Sequence, residues 1–288
     1  MEVFQSWSTW SKDCGQHIPQ LPPLRPVTEI LNEAGVAEGQ TVLDVGAGIG
    51  WVTIPIADRV KPNGKVIALE PAEDSRKELL RYAQNFDVEA LVSIVDGEAK
   101  EVPLDNEAVD IVITRSVLCY VEGKEDAIAE FWRVLRMDGT LVCWEPLNRY
   151  GYLRKAGFFH SRYLQGLGDL GIRVSQLMTQ CVETYCREMN DFTEHDLLEM
   201  CWNAGFRDVS VKVDRSIRRH TFKGDNPLEE IGWDNRGAAT QPIPHEYLAK
   251  HLSDEELEVF RSYVVRLFET EEVVVPFDGG RCLLKAIK

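Results

Sequence analysis

Thr41-Val42-Leu43-Asp44-Val45-Gly46-Ala47-Gly48-Ile49-Gly50-Trp51-Val52-Thr53 is the stretch whose reading decides the fold, because it joins an apolar run to three closely spaced glycines and then to a helical pattern. Val42, Leu43 and Val45 predict a buried parallel strand. Gly46, Gly48 and Gly50 predict the turn that follows it, where a side chain would hold a ligand away from the backbone. Asp44 is the exception in the apolar run. A carboxylate at the end of such a strand is costly unless it meets donors or a cation, so it is expected to face a ligand rather than the core.

A dinucleotide site would require G-x-G-x-x-G, and Trp51 occupies the slot of the third glycine, so that reading fails. The next acidic landmark is Glu70, which ends the apolar run Lys65-Val66-Ile67-Ala68-Leu69 after the Pro62-Asn63-Gly64 turn. A carboxylate at the tip of a second strand, some twenty residues past the glycines, accepts both hydroxyls of a ribose. Pro71 is expected to open the next helix. A third strand, Leu91 to Val95, ends at Asp96-Gly97, and a fourth, Ala108 to Ser116, ends near Arg115. A helix is expected over 126–137, with Ile128, Phe131, Trp132 and Leu135 on its apolar face, before the Met137-Asp138-Gly139-Thr140 turn leads into Leu141 to Pro146.

Taken together, Asp44-Val45-Gly46-Ala47-Gly48-Ile49-Gly50 resembles the D-x-G-x-G-x-G loop of class I S-adenosylmethionine-dependent methyltransferases. The run Leu135-Arg136-Met137-Asp138-Gly139-Thr140-Leu141 resembles that family's L-R-x-x-G-x-L pattern. The resemblance covers about residues 24–146 and extends more weakly over 192–213 and the closing strand. It implies a Rossmann-like, doubly wound α/β fold with a mostly parallel seven-stranded sheet, an antiparallel last strand and a helical cap insertion. It also implies S-adenosyl-L-methionine as cofactor, its amino-acid end against Gly46, Gly48 and Gly50 near Asp44 and its ribose on Glu70 beside Pro71. Asp96 is then expected at the adenine amino group, with Gly97 and Glu98 along the ring and Arg115 at the fourth strand tip.

The chain has 288 residues, 44% of them hydrophobic, enough for one large elaborated core. Four segments are expected: a lid and first helix over 1–40, the cofactor-binding core over 41–146, a cap insertion over 147–191, and completion of the core over 192–288. No run of some eighteen apolar residues and no leader pattern is visible, so a cytoplasmic protein without a membrane partner is expected. A formal net charge of −15 argues against a nucleic-acid partner, since polyanion binding needs a basic surface. Its one basic cluster, Arg215 to His220, reads as a solvated edge beyond the sixth strand. The seven cysteines are scattered without metal-ligand spacing and read as reduced structural thiols, so no metal is expected.

Substrate selection is assigned to the segments that interrupt the strand–helix alternation. The cap is aromatic, and glycines at 151, 157, 166, 168 and 171 suggest several short helices. Thr193 with Asp196 predicts a helix N-cap, and Ser253 with Glu256 predicts a second. The tract 223–245 reads as a long surface loop. Trp7, Trp10, Tyr152, Phe159, Tyr163 and Trp233 are the candidate acceptor-lining residues. A sulfonium cofactor carries its own leaving group, so alignment can supply much of the rate. Where a proton must leave the acceptor, Glu145 and His160 are the first candidate bases, with His17 and His245 in reserve. The expected function is methyl transfer to oxygen, nitrogen or carbon of a small metabolite or natural-product intermediate. The alternatives are methylation coupled to cyclisation and a cofactor-binding protein without turnover. Nothing in the sequence fixes the oligomeric state.

Overall fold

The computed structural model describes residues 25–153, 157–222, 225–234 and 242–288. Trp7, Trp10, His17 and the expected lid lie outside the described residues, as does the side chain of Tyr152. The chain divides into two compact units. Among the described residues, the first comprises 25–147, 192–214 and 281–288, and the second comprises those of 148–191 and 215–280.

In the first unit the expected alternation is present. Helix α1 (Arg25–Ala34) precedes β1 (Thr41–Val45), and α2 (Thr53–Val60), β2 (Lys65–Leu69), α3 (Glu73–Asn85) and β3 (Val92–Val95) follow. Next come β4 (Val109–Arg115), α4 (Lys124–Val134) and β5 (Leu135–Pro146). The first five strands pair in parallel, with Asp44 opposite both Ala68 and Ile113, and Arg115 opposite Trp144. Val42, Val66, Ile111, Ile113 and Val142 on one sheet face pack with Ile30 of α1, Ile56 of α2 and Leu79 of α3. Each of these residues is at most 2% exposed, which is why the strands read as continuous apolar runs.

Two boundaries differ from expectation. Glu73, not Pro71, begins α3. Helix α4 stops at Val134, and Leu135 already pairs with Val109, so β5 starts before the turn at Met137 to Thr140. The apolar spacing of Leu135 fits a helix and a strand equally well, and the sheet partner decides it.

The chain then passes through α5 (Asn148–Leu153), α6 (Asp169–Tyr185) and α7 (Arg187–Asn190) before α8 (Glu194–Ala204). Thr193 caps α8 in a capping box with Asp196, and Gly205 closes it in the left-handed conformation at φ 104°. Strand β6 (Asp208–Thr221), the short α9 (Pro227–Glu230), α10 (Pro244–Ala249), α11 (Asp254–Thr270) and β7 (Val274–Ile287) complete the chain. Strand β7 runs antiparallel to β5 and lies between it and β6, giving the seven-stranded order β3-β2-β1-β4-β5-β7-β6.

The second unit is larger than the expected cap. Phe158, Tyr163, Val174 and Met178 share one apolar core with Trp233, Leu248, Phe260, Val264 and Val275. Segment 215–280 therefore belongs with 148–191 and does not complete the first core. Helix α6 has 17 residues although Gly171 lies inside it. A Cβ at Gly171 would fall 1.9 Å from the carbonyl oxygen of Leu164, so this glycine permits close packing rather than breaking the helix. Helix α11 starts at the predicted Ser253–Glu256 capping box. Arg215 to His220 lie within the edge strand β6 rather than beyond it, and the Arg215 guanidinium sits 3.8 Å over the Tyr150 ring.

Candidate active site

A cavity of about 330 Å³ opens at the carboxyl ends of β1, β2 and β4, and all the residues that line it belong to the first unit. The glycine turn forms its floor. The N–H groups of Gly46 and Ala47 donate to the Leu69 carbonyl at 2.8 and 3.0 Å, fastening the loop to the tip of β2. The three glycines have separate tasks. A Cβ at Gly46 would come 2.5 Å from Val117 Cγ2, and one at Gly50 would come 2.4 Å from Leu79 Cδ1. Nothing lies within 4 Å of the corresponding point at Gly48, where φ is +54°. Gly46 and Gly48 line the cavity, whereas Gly50 lies behind it and lets α3 approach.

Asp44 is 1% exposed and accepts a 2.6 Å hydrogen bond from the Thr53 hydroxyl at the first position of α2. Burial, reinforced by the like charge of Glu70, pushes its pKa up to about 7 against the pull of Thr53 and Arg115. At the tip of β2, Glu70 accepts from the Gly48 N–H at 2.8 Å and the Ala72 N–H at 2.9 Å, one on each carboxylate oxygen. It is 6% exposed and lines the cavity with Pro71 and Ser75, and burial likewise raises its pKa.

Asp96 departs from its expected place. Its carboxylate takes both terminal nitrogens of Arg76, at 3.0 and 3.1 Å, with 70% of its side chain exposed, and it does not line the cavity. Arg76 also donates to the carbonyls of Glu70 and Pro71, so it ties the tips of β2 and β3 together. Beyond Asp96, the chain from Gly97 to Lys100, including Glu98, forms the wall.

On the β4 side the wall consists of Arg115, Ser116, Val117 and Tyr120. Glu145 is not part of it. Its carboxylate, 0% exposed, accepts from the Thr114 hydroxyl and from the N–H groups of Val117, Leu118 and Cys119, all at 3.1 to 3.2 Å. Glu145, expected as a candidate general base, organises the loop that lines the cavity and is not itself among the residues that line it. Burial raises its pKa despite these donors.

His160 and the aromatic candidates also have other work. His160 Nδ1 lies 3.3 Å from the Ser175 hydroxyl, within the second unit. Phe159 stacks on Phe260 at 6.3 Å, and Trp233, 2% exposed, stacks between Phe260 and His245. The Tyr163 hydroxyl donates to the Glu272 carbonyl and accepts from the Val274 N–H, anchoring the start of β7. None of the four lines the cavity, and Tyr163 and Trp233 are core residues of the second unit. The expected surface loop over 223–245 in fact includes α9 and the buried Trp233.

Several wall residues were not singled out as ligand contacts from sequence. Trp51, noticed only because it displaced a glycine, lines the cavity, as do Ser75, Lys100 and Tyr120. Thr53 carried a usable signal: a hydroxyl at the start of the helix, nine residues after a buried acid. The six described cysteines are all buried, and none of them is in a disulfide. Among the described residues no helix is long and apolar enough to cross a membrane.

Comparison with known proteins agrees with this geometry. A family model described as a methyltransferase domain matches residues 43–143. A demethylmenaquinone methyltransferase of Oceanobacillus iheyensis is 26% identical over 215 residues, covering 73% of this chain and 80% of that protein. Among solved structures, the YcgJ protein from Bacillus subtilis aligns with a TM-score of 0.57 at 16% identity, over 91% of this chain and 97% of that one. A SAM-dependent methyltransferase from Aquifex aeolicus aligns with a TM-score of 0.51 at 21% identity, over 70% of this chain and 90% of that one. At these identities the two structures speak for the fold.

Proposed function

Because the chain belongs to the class I S-adenosylmethionine-dependent methyltransferases, we propose that it transfers the methyl group of S-adenosylmethionine to a small-molecule acceptor, with the cofactor held in the cavity above the glycine turn. The observation that carries this reading is the joint placement of Glu70 and Gly48. The buried carboxylate at the tip of β2 bonds to the N–H of the one glycine in the turn whose Cβ position is open. Each Glu70 oxygen keeps accepting capacity for a ribose hydroxyl. The wall from Gly97 to Lys100 would hold the adenine through backbone and apolar contact, with Asp96 turned away to Arg76.

The sulfonium supplies the reactive methyl group when the cofactor is bound. This chain's own contribution is orientation: the loop from Ser116 to Tyr120, braced by Glu145, fixes one wall against which an acceptor is aligned. The relatives named for demethylmenaquinone and for 2-methyl-6-phytyl-1,4-hydroquinone make quinols the first acceptor class to test. Purified protein incubated with S-adenosylmethionine and a panel of quinol, amine, phenol and carboxylate acceptors should release S-adenosylhomocysteine with at least one of them. Mass spectrometry of the product then identifies the acceptor atom. Absence of calorimetric binding of S-adenosylhomocysteine would reject the reading outright.

A further inference from the structure

The acid at the tip of β3 is the group that sequence assigns to reading a nucleobase, and the fold commits it elsewhere. Asp96 meets Arg76 with both carboxylate oxygens, at 3.0 and 3.1 Å, while the same guanidinium donates to the carbonyls of Glu70 and Pro71 at 2.8 and 2.7 Å. A two-pronged pair of this kind fixes direction as well as distance. Turning Asp96 towards the cavity would break both prongs, and Arg76, its side chain 20% exposed, is held back by the two carbonyls.

What remains at this end of the cavity is largely apolar: Leu69, Pro71, Gly97 and Ala99 line it. A Cβ on Gly97 would fall 2.8 Å from Leu69 Cδ1 and 3.0 Å from Pro103 Cδ, so this glycine lets the chain after β3 close onto the tip of β2. Such contacts recognise a flat ring by its shape and are indifferent to its substituents. Asp96, Glu98 and Lys100 are all exposed, so the outer edge of a base seated on this wall meets water. An amino group that stays hydrated loses no hydrogen bond on binding, whereas one buried without an acceptor does. We infer that the cavity binds its nucleoside without reading the amino group at position 6 of the purine, and that it accepts a cofactor analogue lacking that group. Arg76 and Asp96 are instead a clasp that joins the tips of β2 and β3 beside Glu70. This rests on the S-adenosylmethionine reading of the cavity and names the part of the cofactor to which the site is blind.

Two ligands test this on the unaltered protein: S-adenosylhomocysteine, and its 6-deamino analogue, in which purine replaces adenine and the ring nitrogens are unchanged. By calorimetry the analogue should bind within about threefold of S-adenosylhomocysteine, because a carboxylate bonded to the amino group would make it about 10 to 150-fold weaker. A larger gap than threefold would overturn the inference, whichever group proved to be the reader. Asp96→Ala should lower the urea midpoint by loosening the clasp and shift the affinity of both ligands by the same factor. A loss confined to S-adenosylhomocysteine would return Asp96 to the base and overturn the inference. Should Asp96→Ala fail to fold, the wild-type ratio decides alone. Failure of the wild type to bind either ligand would refute the cofactor reading itself.

Discussion

Glu70 and Glu145 invite comparison, for both end parallel strands of one sheet, both are screened from solvent, and burial raises the pKa of both. Their donors differ. Glu70 takes one N–H from the glycine turn and one from the start of α3, and it still borders the cavity. Glu145 takes three consecutive loop N–H groups and a hydroxyl and is closed off from the cavity. A carboxylate at a strand tip is thus a binding group or a scaffold according to how many backbone donors converge on it. Strand position alone does not distinguish the two.

The sharpest way to break this contrast is Glu145→Ala. It would leave three buried N–H groups unpaired and should cost about 3 kcal/mol of stability or more, read as a lower urea midpoint. A variant of wild-type stability with slowed turnover would return Glu145 to the chemistry and end the comparison. Glu70→Ala should instead act on the ligand, weakening S-adenosylhomocysteine by about 10 to 150-fold, or 1.5 to 3 kcal/mol. Unchanged affinity in that variant would make Glu70 a second scaffold.

The glycines sharpen the same division at smaller scale. Gly50→Ala combines φ +102° with the Leu79 contact and should lower stability by about 1 to 3 kcal/mol. Gly48→Ala meets no protein atom and should cost about 1 kcal/mol of stability, with the additional loss falling on cofactor affinity. Urea titration and calorimetry on the pair would expose a reversal.

A further division of labour is a dependence on pH. Burial raises the Asp44 pKa from 3.8 to about 7, with Thr53 and Arg115 opposing the rise and Glu70 adding to it. In the unliganded protein, stability from its neutral form is complete below pH 3.8 and is lost as pH rises through about 7. An ammonium group beside it favours the ionised form, so S-adenosylhomocysteine affinity should climb with pH up to about 7, by no more than about tenfold per unit, and then level off. Asp44→Asn should abolish the climb.

Much of the first unit was legible in the sequence because its strands are buried on both faces and its turn is spelled in glycine. Asp44, Glu70 and the wall beginning at Gly97 all announce themselves by charge or conformational freedom set against an apolar run. Asp96 and Glu145 announce themselves equally loudly. Their carboxylates are drawn away by Arg76, twenty residues upstream of Asp96, and by backbone donors, which no side-chain pattern records. The second unit was misread for a related reason. Trp233 sits among glycines and prolines that read as loop, and only Phe260, beyond the next helix, shows it to be core.

The connectivity of the two units bears on how such a protein can be rebuilt. The chain crosses between them after residues 147, 191, 214 and 280, the last two crossings falling within β6 and β7. Phe158 and Val174 come from one inserted segment, and Trp233 and Phe260 from the other, yet they share a single apolar core. Transplanting residues 148–191 alone from another protein would therefore graft half a core onto half of a different one. Exchange of this module, by recombination or by design, has to carry both segments together and place two of its four breakpoints inside strands that must remain in register.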